Sequence, residues 1–184
     1  MHHSRRAVLA RGLAVASLAA PRLAHAESQA KLTLDGRRVL SRLYATVPRS
    51  RMFGRGAKAI LVFPRIYKAG FVFGAQTGDG VLFEHGAPAA YYNISAASFG
   101  LQAGGQAFSY VLFFMNDGAL RYLRKSDGWA LGTGPSIVLV KTGESADVST
   151  TTVAQDVYAF PFHEEGLMAG VDIKGSKITR IHPR

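Results

Sequence analysis

The side chains that could do chemistry are few, and their spacing groups them poorly. His163-Glu164-Glu165 offers nitrogen and oxygen ligands, but three adjacent residues match no zinc motif and read as a turn. Beyond residue 26 the other histidines are His85 and His182. Ser95, Ser98 and Ser109 lack the G-x-S-x-G setting that strains a serine into a nucleophile. Asp79, Asp117, Asp127 and Asp172 each sit beside or near glycine, where aspartate favours turns. The glycines from Gly100 to Gly105 have neither the lysine nor the strand-to-helix placement of a phosphate loop. With no cysteine in 184 residues, thiolate nucleophiles, thiolate metal sites and disulfides are excluded. The expectation is a non-enzymatic protein with no catalytic residues, no metal and no cofactor.

Charge is the stronger signal. The net charge is +10, and it is concentrated. From Glu27 to Lys68 ten basic residues face two acids, whereas from Ala69 to Arg184 eight face ten. The basic stretch coincides with a helical pattern: Leu32, Val39, Leu40, Leu43 and Val47 form one apolar stripe. Arg37, Arg38 and Arg42 flank it; Gly36 weakens it by about 1 kcal/mol relative to alanine, and Pro48 ends it near Thr46 or Val47. A second basic piece, Arg49 to Lys58, mixes Met52 and Phe53 with Arg49, Arg51, Arg55 and Lys58. Two readings stay open. In one the stripe is core and the arginines are merely hydrated. In the other the cations Lys31, Arg37, Arg38, Arg42, Arg49, Arg51, Arg55 and Lys58 meet anionic lipid, with Met52 and Phe53 dipping into the interface. Each basic residue near such a surface contributes about 1 kcal/mol, fading within a Debye length.

The first 26 residues read as a signal peptide: Arg5, Arg6 and Arg11, a mildly apolar run from Gly12 to Ala20, and a small-x-small site at Ala24-His25-Ala26. Ser4-Arg5-Arg6-Ala7-Val8-Leu9 is similar to a twin-arginine signal, with Val8 in place of the usual phenylalanine; the alternative is an ordinary Sec signal with two adjacent arginines. Cleavage after Ala26 would remove four arginines and no acid, lowering the net charge from +10 to +6. The expected organisation is a signal at 1–26, a basic amphipathic segment at 27–58 and a β-rich remainder at 59–184. The expected location is the periplasm or cell envelope, peripheral to a membrane.

The remainder is a succession of short strands. Ile60 to Phe63 is apolar and stops at Pro64; a run from Gly70 to Gln76 follows, then a turn signal at Thr77-Gly78-Asp79-Gly80, then Val81 to Phe83. Further strands are expected at Ala90–Asn93, Ser98–Ala103, Phe108–Met115, Ser136–Val140, Val157–Phe160, Leu167–Ile173 and Lys177–Ile181. A short helix capped by Asp117 is expected over Gly118–Lys125. Thr142–Thr152 is polar, an edge strand or a loop. The fold class is α+β: a strongly curved antiparallel sheet, sandwich or barrel-like, with an N-terminal amphipathic helix and a short internal helix.

Several blocks, in order, resemble the SYLF lipid-binding domain family: the Ala59–Phe83 stretch, Tyr91-Tyr92-Asn93 with Ser98 to Gln106, Asp117-Gly118-Ala119-Leu120, and Glu165 to Gly175. Tyr92 stands where many members carry tryptophan. The resemblance implies binding to phosphoinositide-type or other anionic phospholipid membranes through the basic N-terminal portion, here Lys31 to Lys58, in an exported bacterial-type member. Some fungal members also bind actin. The expected partner is an anionic phospholipid surface and not nucleic acid. The alternative is a structural or interaction protein of the cell envelope with no lipid ligand.

Overall fold

The computed structural model describes residues 28–70, 73–99, 104–140, 155–163, 166–167 and 175–184. The expected signal peptide, the stretch Gly100–Ala103, the polar run Thr142–Thr152, Glu164-Glu165 and most of the expected strand at Leu167–Ile173 lie outside the described residues.

Two helices open the chain, α1 (Gln29–Thr46) and α2 (Ser50–Gly56). Four long strands follow: β1 (Ala59–Gly70), β2 (Phe73–Glu84), β3 (Ala87–Phe99) and β4 (Gly104–Phe114). Then come α3 (Asp117–Lys125), β5 (Trp129–Ala130), β6 (Ile137–Leu139), β7 (Val157–His163), β8 (Gly166–Leu167) and β9 (Lys177–Ile181). The strands form one curled half-barrel sheet in the order β5-β9-β3-β2-β1-β4-β7-β6, with β8 paired to β7. The α+β class holds. The sheet is antiparallel except between β6 and β7, which run parallel.

Alternation along the strands builds two cores. Leu61, Phe63, Leu82, Tyr92, Tyr110, Leu112 and Phe114 face inward, against Leu120 and Leu123 of α3 and against Trp129. Val62, Val81, Phe83, Val111, Phe113, Tyr158 and Phe160 face the other way, against Leu32, Val39 and Leu43 of α1 and Phe53 of α2. The apolar stripe of α1 is therefore core. The N-terminal segment belongs to the same unit as the sheet: Gln29 donates its backbone N–H to the Arg184 carbonyl at 3.3 Å and its side-chain amide to the Pro183 carbonyl at 2.7 Å.

Two local expectations are corrected. Pro64 does not end a strand, for β1 runs through it at the centre of the sheet. A register shift between Phe63 and Ile66 on the β4 side absorbs the missing N–H as a bulge, and Ser109 Oγ donates to the Pro64 carbonyl at 2.7 Å. Nor is Thr77–Gly80 a turn. It lies within β2, and the two-residue loop closing β2 to β3 is His85-Gly86, with φ of 51° and 79°. Positive φ at both positions is what a type I′ hairpin requires. The glycines serve close approach instead: a Cβ at Gly78 would lie 2.5 Å from the Arg65 carbonyl oxygen, and one at Gly80 would lie 2.5 Å from the Phe63 ring. Asn93 of β3 donates to Thr77 Oγ1, the Gly78 carbonyl and Asp79 Oδ1, fixing the polar residues of that stretch in the sheet.

Candidate functional site

Helix α1 ends at Thr46, as Pro48 demands, and at about 100° per residue its two faces separate cleanly. Leu32, Gly36, Val39 and Leu43 are buried on the sheet. Leu34 points roughly opposite, 49% exposed, with Lys31, Arg37, Arg38 and Arg42 around it. Helix α2 repeats the arrangement on a smaller scale. Met52 is 49% exposed between Arg51 and Arg55, while Phe53 is buried. Across residues 28–58 there are eight cations and one carboxylate, Asp35.

The structure disperses the ten residues singled out in the sequence. Lys31 Nζ pairs with Asp35 Oδ2 at 2.7 Å, and Arg38 Nη1 with Asp35 Oδ1 at 3.4 Å. Arg37 is turned toward the β2–β3 hairpin, donating to the Gly86 carbonyl at 3.1 Å with its guanidinium 5.6 Å from the Phe83 ring centre. Arg49 sits at the N-cap of α2, and Arg51, Arg55 and Lys58 are exposed. Phe53 is the correction. It is 3% exposed, with its ring centre 4.5 Å from Tyr158 and 5.4 Å from Phe160. A ring spent on this aromatic cluster has no surface to give a membrane. Leu34 is the apolar residue that sequence reasoning missed. Its signal was its phase: it falls opposite the stripe that Leu32, Val39 and Leu43 define.

Grooves flank α1 on both sides. On the Arg37 side, a cavity of about 410 Å³ lies between α1 and the hairpin, lined by Leu40, Tyr44, Lys58, Ile60, Phe83 and His85. Burial pushes the Tyr44 phenol above its ordinary pKa. On the Lys31 side, a cavity of about 380 Å³ brings Lys31, Arg38 and Arg42 together with Arg65 of β1, a cation that sequence reasoning had not selected.

The other chemistry-bearing residues are placed separately. Ser109 is committed to the Pro64 carbonyl. His85 forms the hairpin turn and His163 ends β7. Among the described residues no three histidine or acidic side chains gather where they could hold a metal. No described helix is long and apolar enough to cross a membrane.

Residues 95–182 match the family model Ysc84, described as Las17-binding protein actin regulator. No curated protein matches the chain significantly. The matched stretch runs from within β3 to just beyond β9. It holds three of the four blocks that carry the SYLF resemblance in whole or large part, and it leaves α1 and α2 outside. The match at residues 95–182 supports the SYLF resemblance read from the sequence, the Ysc84 domain being the SYLF domain.

Proposed function

We propose that this protein is a non-enzymatic, exported domain that binds anionic phospholipid surfaces through the outward face of α1 and α2. The observation that carries the reading is the pairing of half-exposed Leu34 and Met52 with a surround of cations on helices whose other faces are fully used by the core. An amphipathic surface helix of this kind lies in the membrane plane, its apolar residues entering the headgroup boundary and its cations meeting phosphate. Because the folded sheet holds the helices in place, binding needs no folding step and so costs little ordering entropy. Residues 1–26 supply the export signal in this reading, and the native ligand is a bilayer rich in phosphatidylglycerol-type lipid.

Flotation of the full chain with phosphatidylglycerol vesicles, against phosphatidylcholine vesicles, tests this at low and high salt. Binding to the anionic vesicles alone is expected, weakening as salt rises. Charge reversal at Arg37, Arg38 and Arg42 removes three attractive charges and adds three repulsive ones. At about 1 kcal/mol per charge near the surface, it should lower partitioning at least a hundredfold. Unchanged flotation of that variant would sink the lipid-surface reading and favour a protein partner, the class that the family description names.

A further inference from the structure

The groove on the Lys31 side of α1 adjoins the helices' outward face and shares Lys31, Arg38 and Arg42 with it, and the fold takes a specific step to build it. In β1, Leu61 and Phe63 face the inner core. Strict alternation would send Arg65 inward as well. The bulge at Pro64 adds one residue, so Ile66 takes the next inward position and Arg65 is turned out to the α1 side. There it lines the cavity opposite Lys31, Arg38 and Arg42. Among the described lining residues there are thus four cations and one carboxylate, Asp35, which pairs with Lys31 and Arg38, while Arg65 Nη1 donates to the Tyr67 hydroxyl at 3.4 Å. The first turn of α1, to which Lys31 belongs, contains no acid, so the helix macrodipole adds to the positive potential. The floor is apolar, formed by Val39, Phe108 and Phe162.

We propose that this groove binds the phosphate group of a small phosphate ester, either the headgroup phosphodiester of an anionic phospholipid or a soluble phosphomonoester. The two sources share one oxyanion chemistry. Guanidinium forks on two different elements, helix and sheet, suit the several oxygens of a phosphate better than a lone carboxylate. The volume of about 380 Å³ is at the small end for ligand sites, enough for phosphate with a glycerol-sized polyol seated on the apolar floor. For the lipid source, the inference rests on the surface-binding reading above; for the soluble source it stands without it.

The experiment titrates the full chain with glycerol 3-phosphate at low salt, by calorimetry or by NMR, and repeats the vesicle flotation. Three variants are compared: Arg65→Gln, Arg65→Lys and Arg121→Gln. Saturable ester binding is expected, weakened at least tenfold by Arg65→Gln and partly restored by Arg65→Lys, which keeps the charge without the fork. Arg121→Gln, on exposed surface of α3 and away from the groove, should leave ester binding unchanged, and thermal melts check that each variant is folded. If the ligand is lipid, Arg65→Gln also weakens flotation and glycerol 3-phosphate competes with vesicles. If it is a soluble ester, flotation is indifferent to Arg65. The groove proposal is overturned if the ester binds equally well to Arg65→Gln. It is likewise overturned if the ester does not bind and Arg65→Gln floats like the unaltered chain. Salt-sensitive flotation in that last case would leave the outward-face reading standing.

Discussion

Helix α3 and helix α1 both carry arginine and lysine on exposed surface, yet they place it differently. In α3, Asn116 caps the N-terminus by accepting from the Ala119 amide at 2.9 Å, Asp117 lies in the first turn, and Arg124 and Lys125 lie in the last. Each of these charges opposes the end of the macrodipole it sits on, and each stabilises the helix. Arg124 is further paired with Glu84 of β2. In α1 the first turn has no acid and contains Lys31, and the last turn has no base. The Lys31–Asp35 pair runs cation first, the weaker orientation along a helix. The fold accounts for the charge of α3. In α1, held by its buried stripe, Arg37 ties the helix to the hairpin and Asp35 pairs with Lys31 and Arg38, but no charge is placed to complement either end of the macrodipole. Charge placed against local stability is where a ligand should be sought.

The comparison breaks most visibly if the two faces of α1 turn out to be equivalent. Leu43 is fully buried and Leu34 is half exposed. Leu43→Ala should cost about 2–5 kcal/mol of unfolding free energy, the range for a truncated core leucine. Leu34→Ala should stay within about 0.5 kcal/mol, as surface changes do. Vesicle flotation should reverse the order, with Leu34→Ala binding several-fold less at unchanged stability. Equal costs in urea titrations would mean that Leu34 is structural, and the outward face would lose its apolar anchor.

A second expected effect concerns how α3 is anchored. Asp156 accepts from the Ser136 amide at 2.8 Å, from Ser136 Oγ at 2.9 Å and from Asn116 Nδ2 at 2.6 Å, so it holds the very residue that caps α3. The Ser136 amide first, and then the Asn116 side chain, hold its carboxyl below the ordinary 3.8. A carboxyl with a depressed folded pKa binds its proton more readily when unfolded. Its contribution is therefore complete above the ordinary value and is lost as pH falls through the depressed one. Stability should decline with acid below about pH 5. Asp156→Asn should cost about 1–3 kcal/mol at neutral pH through the disturbed hydrogen bonds and flatten the acid slope. An unchanged slope in denaturant titrations from pH 7 to pH 3 would remove Asp156 as the group responsible.

How much of this was legible in the sequence depends on the range over which each feature is decided. The ends of α1 at Thr46 and of α3 at Lys125, the stripe of α1 and the last strand follow from local spacing and were readable, whereas the cap of α3 is Asn116 and not the expected Asp117, which is the first helical residue. The bulge was not. Proline in an apolar run signals a strand end unless the neighbouring strands supply a register shift, and that is a property of β4 and the Ser109 hydroxyl. Gly78 and Gly80 resemble turn residues because flexibility and lack of bulk look alike in sequence; only the bulged strand alongside shows that bulk was the issue. Phe53 resembled an interfacial aromatic because its partners Phe113, Tyr158 and Phe160 are distant in sequence. Arg65 was lost with the strand that was thought to end before it.

The smallest expected effect addresses the comparison directly. Asp117→Asn removes a favourable charge from the first turn of α3 and should lower stability by about 0.3–1 kcal/mol. Lys31→Gln removes an unfavourable charge from the first turn of α1 and also gives up an exposed ion pair with Asp35, itself worth little. These two contributions oppose each other, so stability should change by less than about 0.5 kcal/mol in either direction. Glycerol 3-phosphate binding and anionic-vesicle flotation should both weaken in Lys31→Gln, while Asp117→Asn leaves both intact. If Lys31→Gln instead destabilises the protein as much as Asp117→Asn does, then Lys31 serves the fold after all, and the distinction between the two helices fails at the residue where it is sharpest.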